Sequence, residues 1–139
     1  MAFQIVQILE AASEKILARV NHESNSFTVT IPDQKVENIL VGKSYLAEIG
    51  YDGILNWKII DDFDDAQSGI WQAENGIHLL GRVHNIIDFG DGRTVIDVYL
   101  QNGAEFFTLD SAMTGDETFE SDTGLEITVG NLYLYLTDK

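Results

Sequence analysis

Apolar and polar positions alternate with period two over much of the chain. Phe27-Thr28-Val29-Thr30-Ile31 and Thr94-Val95-Ile96-Asp97-Val98-Tyr99-Leu100 follow the pattern, the second with one slip. Leu125-Glu126-Ile127-Thr128-Val129 and Leu132-Tyr133-Leu134-Tyr135-Leu136 are rich in β-branched and aromatic residues. Such segments predict half-buried strands, because successive side chains of a strand point to opposite faces. Glycine-bearing turns separate them: Tyr51-Asp52-Gly53, Glu74-Asn75-Gly76, Phe89-Gly90-Asp91-Gly92-Arg93 and Gln101-Asn102-Gly103. Asp-Gly and Asn-Gly between apolar runs are strong hairpin signals, since glycine accepts the positive φ of a tight turn.

The N-terminal segment fits two patterns. Ile5, Leu9, Ala12, Ile16 and Val20 recur at helical steps. The same residues also divide into strands Phe3–Leu9 and Lys15–Val20. A faint internal repeat favours strands. Residues 39–52 and 127–138 share Ile, Val-Gly, Tyr-Leu and a closing Asp, and each follows a short strand and a polar turn. In the second copy the stretch farther upstream, Val83–Asp97, is a hairpin with Gly90-Asp91-Gly92 at its tip. The repeat therefore predicts a hairpin over Phe3–Val20, turning at Ala11–Glu14.

The expected fold is mostly β with little helix: an antiparallel barrel or sandwich, read as two tandem OB-like units packed together. The order strand, strand, strand, connection, Gly-led strand resembles an OB-type barrel in outline, and the resemblance covers strand order alone. The expected division is 1–60 as the first unit, Asp61–Gly69 as an acidic linker and 70–139 as the second unit, with one continuous domain as the alternative.

Composition sharpens the picture. The 139 residues carry 8 Lys+Arg against 23 Asp+Glu, a formal charge of −15, with 45 % hydrophobic residues and no Cys. The apolar content argues for a packed core and against disorder. Without Cys, a disulfide scaffold and a thiolate metal site are both excluded. The charge is uneven. Residues 1–60 hold five bases and seven acids, net −2, whereas 61–139 hold three bases and sixteen acids, net −13. Phosphate capture is thereby disfavoured, most strongly in the second half. The N-terminus lacks the basic and apolar regions of a secretory signal, and no stretch reaches the length of a membrane span, so a cytoplasmic location is expected.

No motif calls for catalysis, a cofactor or a metal. Gly42-Lys43-Ser44 ends like a phosphate-binding P-loop, but Glu37 holds the position of its first glycine. His78 and His84 are six apart, which spans ~20 Å along a strand, too far for one metal. Asp61-Asp62-Phe63-Asp64-Asp65 could attract Ca²⁺, yet it lacks the spacing and glycine of an EF-hand loop. No Gly-x-Ser-x-Gly elbow is present.

The densest charge lies at Asp61, Asp62, Phe63, Asp64 and Asp65 and again at Asp116, Glu117, Phe119, Glu120 and Asp122, carboxylates around one aromatic in each case. Exposed aromatics within like charge suit docking on a basic surface. The main expectation is thus a non-enzymatic acidic protein that docks on a basic partner, in an inhibitor, immunity-type or nucleic-acid-mimic role. Two alternatives stand beside it. One is a small-molecule-binding or enzymatic pocket between the two β units. The other is an OB-like nucleic acid binder using Lys15, Arg19, Lys35 and Lys43 with Phe27 and Tyr45 of the first unit.

Overall fold

The computed structural model describes residues 1–90, 92–100, 105–115 and 119–137. Its eleven strands are β1 (Ala2–Ala12), β2 (Lys15–His22), β3 (Asn25–Pro32), β4 (Ser44–Tyr51), β5 (Asn56–Ile60), β6 (Gly69–Ala73), β7 (Gly76–Asp88), β8 (Thr94–Leu100), β9 (Glu105–Asp110), β10 (Gly124–Val129) and β11 (Leu132–Leu136). Among the described residues, helix is confined to 3-10 turns at Val36–Asn38, Asp65–Gln67 and Ser111–Thr114. The protein is mostly β, as the alternation predicts.

Residues 2–22 form a hairpin and not a helix. Its inward positions, Phe3, Ile5, Ile16, Ala18 and Val20, are buried, while Val6, Leu9 and Glu10 remain exposed. Two register shifts in β1, between Ile5 and Gln7 and between Ile8 and Glu10, break strict alternation. The helical stripe mixes faces, since its members Leu9 and Ala12 are exposed while Ile5, Ile16 and Val20 are buried.

The chain divides into two compact units. Unit 1 comprises Met1–Asp52, Trp71–Ile77 and Gly130–Lys139. It contains a closed barrel in the order β1-β2-β3-β11-β4, with β4 returning to β1. β11 runs parallel to β3 and antiparallel to β4. Phe3, Phe27, Val29, Ile31, Leu132 and Leu134 are among the buried side chains. Unit 2 comprises Gly53–Ile70 and His78–Val129. Its sheet runs β5-β10-β7-β8-β9, over a core that includes Leu79, Val83, Ile96, Val98, Phe107, Leu109, Leu125 and Ile127.

This division differs from the sequential one expected. Each unit takes four strands from one continuous stretch and a fifth from elsewhere in the chain. β5 follows the fourth strand of unit 1 but pairs with β10 of unit 2, from Gly124↔Ile60 to Thr128↔Asn56. β11 follows the fourth strand of unit 2 but pairs with β4 of unit 1, from Leu132↔Tyr51 to Leu136↔Ala47. The two Gly-led strands of the repeat, β4 and β11, are thus neighbours in one barrel. Gly50 makes room for this pairing, since a Cβ there would lie 2.7 Å from the Tyr135 ring. On the same two strands Tyr133 donates a 2.5 Å hydrogen bond to Asp52 Oδ2, which raises the phenol pKa.

Residues 61–69, expected as a linker, belong to unit 2. The Asp64 carboxylate accepts from Ala66 N at 3.1 Å, and the Gln67 side chain accepts from Asp64 N at 3.2 Å, a reciprocal cap on a short turn.

Candidate functional site

Among the described residues of unit 1, the outer face of β1, β2 and β3 carries a cleft of about 400 Å³. It is lined by Glu10, Ala11, Ala12, Lys15, Leu17, Thr30 and Asn131. Strand register explains why these residues meet. Glu10 lies opposite Leu17, and Leu17 opposite Thr30, so the three form one row across three strands. Lys15 lies opposite Ala12, one row along the same face. Asn131 comes from the turn that leads into β11, and Tyr133 of that strand is the parallel partner of Thr30.

Polar groups in this cleft are unusually free. Thr30 is only 5 % exposed as a residue, and its hydroxyl makes no hydrogen bond with another described residue. No buried side-chain nitrogen or oxygen among the described residues is sealed from solvent without a partner, so the Thr30 Oγ1 opens into the cleft. Glu10 and Lys15 are exposed and make no ion pair with each other or with another described residue. Lys15 and Asn131 supply donors, Glu10 an acceptor and Thr30 both. Leu17, Ala11 and Ala12 add apolar walls. A cleft of this size with a few convergent polar groups has the make-up of a small-molecule site.

The acidic clusters are arranged differently from the docking reading. Both reach Arg82 of β7, within unit 2. The Asp65 carboxylate accepts from Arg82 Nε at 2.9 Å, and the Asp122 backbone carbonyl accepts from Arg82 Nη1 at 2.7 Å. The Arg82 guanidinium covers the Phe63 ring at 5.1 Å, and Phe63 lies over Gly124, where a Cβ would come within 2.6 Å of it. Phe119 is buried edge-on against Trp57, with ring centroids 5.4 Å apart. Asp61, Asp62, Asp64, Glu120 and Asp122 are exposed. Asp116 and Glu117 lie outside the described residues. The two aromatics expected as exposed anchors are therefore engaged within unit 2.

The three histidines have separate surroundings. His78 Nδ1 lies 3.2 Å from both Glu126 Oε2 and Thr128 Oγ1. A hydroxyl–imidazole–carboxylate relay needs its two partners on opposite ring nitrogens, and here both use the same one. Lys58 approaches the same Glu126 oxygen at 3.8 Å, so Glu126 of β10 lies between Lys58 of β5 and His78 of β7. His84 stacks on Tyr99 at 4.2 Å, and His22 Nδ1 lies 2.9 Å from the Ala2 carbonyl. No cluster of three His, Cys, Asp or Glu side chains suited to a metal occurs among the described residues. Gly42 is a turn residue with φ 93° whose N–H bonds Ile5 O at 2.7 Å. The aromatics of the nucleic-acid alternative are also inside: Phe27 is fully buried and Tyr45 is 5 % exposed.

No protein-family model and no curated protein matches the chain. Among solved structures, the cytoplasmic molybdate-binding protein ModG, in a PEG-grown form with molybdate bound, is similar in fold. The TM-score is 0.55 at 13 % identity, over 96 % of this chain and 92 % of that chain. That likeness supports the OB-like tandem architecture. It also corrects the main functional expectation. A fold neighbour that spans nearly the whole chain binds a small molecule, and the aromatics meant to grip a basic partner are spent inside unit 2. Sequence reasoning missed the cleft. Lys15 was singled out only as a base, and Thr30 only as the polar member of an alternating strand.

Proposed function

We propose that this protein binds a small polar molecule in the cleft on the outer face of β1, β2 and β3. The observation that carries the reading is the Thr30 hydroxyl. It has no hydrogen-bond partner among the described residues and lies in a cleft that also holds an unpaired Lys15. A hydroxyl that opens into a cleft and has no partner in the fold can bond a ligand in place of water. The charge distribution agrees. Unit 1, which holds all the cleft residues, has five bases and nine acids, net −4, so most of the −15 belongs to unit 2. ModG binds molybdate and is cytoplasmic. By that analogy this chain is a small-molecule binder of the cytoplasm, and molybdate is the first compound to test. Among the described residues, no helix is long and apolar enough to cross a membrane.

A thermal-shift comparison of the full chain with Thr30→Val tests the reading. The substitution removes the hydroxyl at nearly constant volume. Inorganic oxyanions, carboxylates and amino acids are added one at a time. A ligand at about 100 times its Kd stabilises by about 2.7 kcal/mol, which moves the midpoint by several degrees. At least one compound is expected to stabilise the wild-type chain and to lose most of that effect in Thr30→Val. If every stabilising compound acts equally on both chains, the cleft is not the site.

A further inference from the structure

The cleft carries opposite charges that leave each other alone. Glu10 and Lys15 are diagonal neighbours on one face of a strand pair. At that position their Cβ atoms lie roughly 7–8 Å apart, within reach of two long side chains. Neither makes an ion pair, and both line the same cavity as the free Thr30 hydroxyl. A simple oxyanion would use Lys15, Thr30 and Asn131 but would face the Glu10 carboxylate, a like charge with no cation of its own. It would also leave much of the cleft unfilled. Four oxygen-sized groups at ~30 Å³ each occupy on the order of 120 Å³, against a cleft of about 400 Å³.

We infer that the ligand of this cleft is a small zwitterion, one molecule with a carboxylate for Lys15 and an ammonium for Glu10, of the size of an aliphatic amino acid. The inference rests on the small-molecule reading above and specifies its chemistry. Lys15 and Asn131 donate to the ligand carboxylate. Glu10 accepts from the ammonium. Thr30, which can donate and accept, bonds to either end. Leu17, Ala11 and Ala12 supply an apolar wall for an aliphatic side chain. Charge pairing on both ends excludes molecules that carry one charge, because each leaves a carboxylate or an ammonium of the protein facing ligand with no partner.

Matched probes separate the two charges. L-Valine carries both, isovalerate is the same skeleton without the ammonium, and isobutylamine is the same skeleton without the carboxylate. Isothermal titration calorimetry of the full chain with these three and with molybdate should give tightest binding for valine. Loss of one charge-assisted contact is expected to weaken binding about tenfold. Glu10→Gln should weaken valine by about that factor and leave isovalerate unchanged or tighter. Lys15→Gln should weaken valine and isovalerate and spare isobutylamine. Both residues are exposed on the barrel surface, and circular dichroism checks that each variant folds. Isovalerate or molybdate binding as tightly as valine overturns the zwitterion while the binding site stands. Equal loss of all probes in Glu10→Gln overturns it as well. Absence of binding by all four probes, with no Thr30-dependent stabilisation by any compound, overturns both this inference and the reading it rests on.

Discussion

Gly81→Ala is the sharpest test of the register in unit 2. Gly81 lies in β7, next to the pair Arg82↔Tyr99. A Cβ at this position would clash with the Tyr99 carbonyl oxygen and come 3.0 Å from Val98 Cγ1. The carbonyl belongs to the backbone of the paired strand, so relief requires β7 and β8 to move apart, and a side-chain rotation is no remedy. Overpacking costs about 1–3 kcal/mol, and a backbone clash belongs at the upper end. Replacing glycine in a strand returns about 0.5–1 kcal/mol. The net expectation is a loss of about 2 kcal/mol. For a chain of 139 residues, each kcal/mol moves the thermal midpoint by roughly 4 °C, so a drop of about 8 °C is expected. Urea unfolding followed by circular dichroism should show a lower midpoint with an unchanged slope. Gly124→Ala is a second case. Its Cβ would come within 2.6 Å of Phe63 Cβ and Cγ, and Cβ does not move when the side chain rotates, so the backbone must shift there too and a comparable loss is expected. A Gly81→Ala chain as stable as the wild type refutes the assigned pairing of β7 with β8.

Two further outcomes follow from the charged groups of unit 2. Arg82→Leu removes the hydrogen bond to the Asp122 carbonyl, the pair with Asp65 and the cover over Phe63. Asp65 is 54 % exposed, so water screens that pair, and a total loss of about 1 kcal/mol is expected. Hydrogen exchange in 61–67 should accelerate, and unchanged exchange there would show that Arg82 does not hold the segment. Asp110 is the second case. Its pKa lies below the usual 3.8 because its carboxylate accepts from Ala112 N and, next in weight, from Arg93. A depressed carboxyl pKa contributes stability above about 3.8, and that contribution fades as pH falls through the folded value. Wild type and Asp110→Asn should therefore differ in urea midpoint at pH 6 and converge towards pH 2, and a difference that grows on acidification contradicts the pairing.

Much of the fold was legible in the chain. Thr94–Leu100 and Leu132–Leu136 coincide with β8 and β11, and Gly90 and Gly92 take the positive φ that the hairpin turn requires. The N-terminal hairpin was readable through the repeat, although its own apolar spacing imitated a helix because exposed Leu9 and Ala12 fall into step with buried Ile5, Ile16 and Val20. The site was far less legible. Acid runs draw attention as runs, but Asp65 and Asp122 turned out to be settled by Arg82, whose sequence neighbours give no sign of them.

The sequence alone determined which segments are strands, where they turn and which side chains point inward, because a period of two is a property of the local backbone. The tertiary structure decided which edge each strand joins. An apolar face requires burial and a strand edge requires hydrogen bonds, and neither requirement names a partner. So β5 completes unit 2 and β11 completes unit 1, although each lies in sequence beside the other unit's strands. The same choice created the cleft. Glu10, Lys15 and Thr30 come from neighbouring strands, but Asn131 joins them only because β11 returns to lie against β3.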